Sequence, residues 1–154
     1  MKPRPFKFKL QSVLDLKIQI EDEEKEKLAK LNAEKAREEM VLEGLRNAKI
    51  EETRVFREKQ RGTLNIVELK QFEAHLKKLD HMIVNQKLRI RELEIKIEEQ
   101  RQITIKASQE RQIFEKLRDK HKEIFIQEME AEETKFIDEL AITRFRRGDK
   151  RKGA

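Results

Sequence analysis

After Pro5 the chain contains no further proline up to Ala154. Proline stops helices by removing a backbone donor and clashing with the preceding turn. A chain of 154 residues without one beyond its fifth position can run in very long helices, and the remaining composition favours them. Charged residues make up 44% and hydrophobic residues 36%, where an ordinary globular domain has about 25% charged. The apolar mass is too small for a compact globule. The aliphatic residues nevertheless recur too regularly for disorder, among Lys, Glu, Arg, Leu and Gln that are all good helix formers. No apolar run approaches the ~20 residues of a membrane span. The basic N-terminus lacks the apolar region and cleavage site of a signal peptide. There is no cysteine, which removes a disulfide scaffold, a thiolate metal site and a thiol nucleophile, and accords with a reducing compartment.

Charge is distributed unevenly. Of the net +6, residues 1–10 hold +4 and residues 144–154 hold +5, which leaves −3 for residues 11–143. The chain reads as a mildly acidic rod with basic ends.

Met1 to Pro5 is expected to be extended, because X-Pro steps disfavour helix. Phe6, Phe8 and Leu10 alternate with Lys7 and Lys9, a pattern too brief to make more than a short strand. Ser12 is the candidate N-cap of a first helix over about 10–60, with Asp15 three residues on as an imperfect capping box. Its apolar stripe is patchy: Glu21 to Lys27 is entirely charged, with nothing to bury, and Lys35 and Lys49 interrupt it later. Gly62 is the best break, expected as a left-handed stop, with Thr63 or Asn65 capping the next helix. That second helix spans about 66–145. Leu69, Phe72, Leu76, Leu79, Ile83, Gln86, Ile90, Leu93, Ile97 and Gln100 alternate by three and four, which is a coiled-coil seam. Beyond Gln100 this register blurs. Residues 146–154 read as a basic disordered tail.

The fold class is therefore all-α. Two helices form one antiparallel coiled-coil hairpin over 1–145, with the turn near Gly62 and the second helix longer. Facing residues should have numbers summing to roughly 124, which sets Leu45 against Leu79, Leu31 against Leu93, Val55 against Leu69, and Leu10 and Val13 against Ile113 and Phe114. The arms of about 50 and 80 residues leave about 30 residues of overhang at 1.5 Å each. The overhang carries Leu117, Ile124, Phe125, Ile126, Met129, Phe136, Ile137, Leu140, Ile142 and Phe145. Such a stripe calls for a partner, for weak self-association, or for a later turn that evens the arms. Val67, Val84, Leu88 and Ile95 lie off the seam, either as scattered surface aliphatics or as a further partner face.

Nothing in the sequence assembles a catalytic site. His75 and His81 fall on different helix faces, so they share no metal, and His121 falls on a seam position. The many carboxylates are solvated faces with i,i+4 partners. There is no glycine-rich phosphate loop. A rod offers no concavity for a small-molecule substrate. The chain is read as no enzyme, with no cofactor. Nucleic acid is the weaker partner class, because the body is net negative and no basic-region zipper is present.

The segment Phe6-Lys7-Phe8-Lys9-Leu10-Gln11-Ser12-Val13-Leu14-Asp15-Leu16-Lys17 resembles the opening of the flagellar FliJ family, whose members begin with an F-x-F-x-L-Q-x-L-L-D-like stretch. Gln71 to Leu79 resembles the start of that family's second helix, and Phe136 to Ala141 its C-terminal segment. The resemblance implies an antiparallel two-helix coiled coil similar to the γ stalk of rotary ATPases. It implies a cytoplasmic component of the flagellar type III export apparatus, peripheral to the membrane beneath the basal body. The implied partners are the hexameric export ATPase, the cytoplasmic domain of the export gate protein, and export chaperones. Carried over residue by residue, it points to Phe72, Leu76 and Leu79 for the gate contact, which conflicts with their seam positions. For the ATPase ring, the basic residues Lys7, Lys9, Arg144, Arg146 and Arg147 are the candidate contacts, with Phe136, Leu140 and Phe145 as apolar anchors. A structural coiled coil, or the stalk protein of a related virulence secretion system or rotary ATPase, is the alternative reading.

Overall fold

A computed structural model describes residues 4–62 and 65–153. It contains two helices, α1 (Gln11–Lys59) and α2 (Ile66–Lys152), packed antiparallel as a hairpin with the second helix longer. Among the described residues there is no strand. Contacts group into two units, one formed by Glu21–Ala107 and the other by Met1–Ile20 with Ser108–Ala154.

In the unit Glu21–Ala107, α2 buries Leu79, Ile83, Gln86, Ile90, Leu93, Ile97, Thr104 and Ala107. The first six are expected seam positions, and Thr104 and Ala107 continue the three-and-four alternation past Gln100, where the sequence reading lost it. The opposite face of α1 keeps the same rhythm. Leu28, Leu31, Leu42 and Leu45 are buried or half-buried, and so are Lys35 and Glu38 between them and Glu24 and Glu52 to either side. Glu21, expected to have nothing to bury, is only 2% exposed. Leu42, Ile83 and Ile90 form an apolar cluster with Leu45 against it.

The charged residues that interrupt the α1 stripe belong to its seam, because α2 answers them. The Gln86 side-chain amide donates to the Glu38 carbonyl at 2.9 Å and to the Glu38 carboxylate. Two heptads away, the Gln100 amide does the same to Glu24. Both pairs stand at the expected register. Lys49 meets Asp80 at 2.6 Å, Lys35 meets Glu94 at 3.4 Å and His75 meets Glu52 at 3.3 Å. Sliding the helices by one heptad in either direction would set Gln86 and Glu38 against leucines, so this polar rung holds the register.

Near the turn, the rings of Phe56 and Phe72 stack with centroids 3.8 Å apart and planes 4° apart. The α1 end closes with the Gly62 amide donating to the Lys59 carbonyl at 3.1 Å. No described glycine has a positive φ, so the expected left-handed stop at Gly62 is absent. A methyl group there would meet nothing closer than the Lys59 carbonyl oxygen, at 3.7 Å. Tightening of the last turn ends α1 instead. Thr63 lies outside the described residues. Asn65 caps α2, its side-chain oxygen accepting from the Val67 amide at 3.4 Å and its carbonyl from the Leu69 amide at 3.2 Å.

In the other unit, Leu14 is fully buried and Lys17 pairs with Glu110 at 3.1 Å. The helix begins at Gln11, so Ser12 lies inside it and is not the N-cap. The Gln11 amide donates to the Phe8 carbonyl at 3.1 Å, and the Gln11 side chain to Asp15 at 2.8 Å. Residues 4–10 form a non-helical strap along α2. Phe8 packs edge-on against His121 at 5.7 Å between centroids, and Phe6 against Phe125 at 5.5 Å. Arg4 reaches Glu132 at 3.9 Å. This shortens the expected overhang: Leu117, Phe125 and Met129 are half-buried, because the strap accompanies α2 beyond the start of α1. Phe114 is half-buried as expected, but Ile113 is 63% exposed, one position off the seam.

From Glu130 to Gly153 every residue is exposed. The expected disordered tail is instead helical as far as Lys152. No proline interrupts it, and Lys150, Arg151 and Lys152 suit the negative end of the helix dipole.

Candidate partner-binding surfaces

Helix α2 continues beyond the strap as a single exposed helix, and this end gathers most of the proposed ring-contact residues. Phe136, Leu140, Arg144 and Arg147 follow at steps of four, four and three, so they share one face. Ile137 and Arg151 fall on the same face, and the sequence reading did not single out Arg151. The face is apolar for two turns and cationic for the next two. Phe145 and Arg146 lie on the back of the helix, to either side of the face's opposite pole, so these two do not join the others. None of Arg144, Arg146 and Arg147 has a carboxylate partner among the described residues.

Lys7 and Lys9 are exposed on the strap, beside the part of α2 around His121 and Phe125. Arg144 lies nineteen helical steps beyond Phe125, roughly 30 Å at 1.5 Å per residue. The two basic groups therefore make two patches along one unit, not a single cluster. The reason is the strap, which carries Lys7 and Lys9 alongside the helix well before its end.

The three proposed gate-contact residues lie in the seam. Leu79 is buried, while Phe72 and Leu76 are half-buried. Burial weakens toward the turn, where Leu69 is 38% exposed against 6% for Leu79. A shallow groove beside the turn is lined by Val55, Phe56, Gln71, Phe72 and His75, which places part of Phe72 in its wall.

Three described groups are tuned by structural contacts. The Gln100 amide, followed by the Lys27 ammonium, holds the Glu24 carboxyl below its ordinary range. Arg54 does the same to Glu51, and its own guanidinium is held more firmly protonated between Glu51 and Glu58. Among the described residues no group of three His, Cys, Asp or Glu side chains is placed to hold a metal. No described helix is long and apolar enough to cross a membrane.

A family model for the flagellar FliJ protein matches residues 6–150, nearly the whole chain. The chain belongs to the FliJ family. Membership accords with the strap: Phe6 and Phe8 of the opening motif are the two rings that fasten it to α2. For a FliJ-family protein the coarse role is a coiled-coil component related to flagellar protein export. No curated protein and no solved structure matches this chain.

Proposed function

We propose that this FliJ-family chain is a non-catalytic, stalk-like part of the flagellar type III export apparatus. In this reading it binds the hexameric export ATPase through the free end of α2 and promotes the ring's assembly and activity. It also links the ring to the export gate and its chaperones at the cytoplasmic face of the membrane. The observation that carries the reading is the exposed stretch from Glu130 to Gly153, with Phe136, Ile137 and Leu140 followed on the same face by Arg144 and Arg147. An apolar collar that covered the first three would gain roughly 1–2 kcal/mol from each half-exposed side chain. Acidic loops facing the arginines would steer the encounter more than tighten it. The gate contact falls on the open edge of Phe72 beside the turn, with Leu76 and Leu79 behind it in the seam.

The test is deletion of residues 136–154, mixed with the export ATPase while hexamer formation and phosphate release are followed. The shortened chain is expected to keep its thermal midpoint, because the described residues of the deleted stretch are all exposed, and to lose both effects on the ring. A shortened chain that still binds and stimulates the ring refutes the assignment.

A further inference from the structure

Helix α2 carries a second seam. Positions 67, 70, 74, 77, 81, 84, 88, 91 and 95 repeat the alternating steps of three and four found on the packed face, displaced to the outer side of the helix. The stripe has the same seven-residue period as the packed seam, so the two run parallel along the helix. Val67, Val84, Leu88 and Ile95 on the stripe are each more than half exposed, so α1 does not cover it. Five of its nine positions are apolar, Ala74 being the fifth. The α1 seam over residues 28–56, which does pack, also has five of nine, the rest being Lys and Glu.

The charges differ. Lys35 and Lys49 in the α1 seam each meet a carboxylate on α2. Lys70, Lys77 and Arg91 on the outer stripe have no carboxylate partner among the described residues, and none of the nine positions is acidic. A second copy of this stripe would set cation against cation. We propose that the outer face of α2 from Val67 to Ile95 docks a helix of another protein, one whose own stripe alternates aliphatic side chains with carboxylates. Docking completes a three-helix coiled coil. The site lies wholly within Glu21–Ala107 and does not depend on the ring-contact reading.

The test uses the full chain and two fluorescein-labelled helical peptides of about four heptads. One carries Leu at a and d with Glu at e and g, and the other has Lys in place of every Glu. Anisotropy at physiological salt is expected to show saturable binding of the Glu peptide and none of the Lys peptide. Val84→Gln with Leu88→Gln should weaken binding by at least about tenfold, with the thermal midpoint unchanged because both side chains are exposed. Lys70→Glu with Lys77→Glu and Arg91→Glu should weaken the Glu peptide and admit the Lys peptide. The proposal is overturned by absent binding, by equal binding of the two peptides, or by binding indifferent to these substitutions.

Discussion

Replacing Phe8 by alanine is expected to release the strap while the helices stay folded. Phe8 is only 8% exposed. Covering an aromatic side chain withdraws roughly 200 Å² from water, about 5 kcal/mol at 25 cal/mol per Å². Phe6, half-buried on Phe125, adds about 2 kcal/mol. The exposed Arg4–Glu132 pair and the Phe8 carbonyl's hydrogen bond from Gln11 add about 1 kcal/mol together. Against this total of about 8 kcal/mol, ordering residues 4–10 costs about 1–1.5 kcal/mol each, or roughly 7–10 kcal/mol. The two sides nearly cancel, so the strap is held by a small net free energy. Truncation to alanine removes about 3 kcal/mol, a shift of roughly 150-fold toward the released state. The assay is brief trypsin digestion, with cleavage after Lys7 and Lys9 followed by mass spectrometry. Where reclosing is fast, cleavage tracks the open population; a strap held by about 1 kcal/mol is open roughly 15% of the time, so the rate should rise severalfold, to that of a fully open strap. The thermal midpoint of the helical circular dichroism should move little. An unchanged cleavage rate at Lys7 and Lys9 refutes the reasoning. So does a loss of about 3 kcal/mol from helix unfolding itself, which would make the strap part of the cooperative fold.

Two further outcomes concern the polar seam. Gln86→Ala removes the amide that Glu38 accepts from and leaves that carboxylate with Arg89 at 3.3 Å; urea unfolding should show a loss of about 2 kcal/mol, and a loss under about 0.5 kcal/mol would mean the rung does not hold the register. Because the folded-state pKa of Glu24 is depressed from 4.5, its contribution is fully present above that value and is lost as pH falls through the lower folded value; thermal midpoints of the native chain should therefore drop more steeply below pH 4.5 than those of Glu24→Gln, and parallel curves would count against the Gln100–Glu24 contact.

Much of the fold is legible in the residue spacing, and the exceptions share a cause. Leu79, Ile83, Ile90, Leu93 and Ile97 announce the seam because apolar side chains at steps of three and four have one physical explanation. The same steps continue through Thr104, Ala107, Arg111, Phe114, Arg118, His121 and Phe125, but a reading that counts only apolar residues loses them. In α1, Lys35, Glu38 and Lys49 look like interruptions for the same reason. Only the facing helix shows that each has a partner, since a charge in a seam is costly alone and tolerable when paired. At the candidate site, the arginines and aromatics of the free end were evident from sequence. Their division into a shared face and two outliers follows from helical phase. The separation from Lys7 and Lys9 does not, because it depends on where the strap lies.

Periodicity and the missing prolines by themselves determined two long helices, their antiparallel pairing, the unequal lengths and the basic extremities, since these are properties of local spacing and composition. Tertiary structure decided how much of α2 remains bare and which charges serve as rungs. Both depend on residues far apart in the chain coming within a few ångströms of each other, and one-dimensional periodicity carries no record of that.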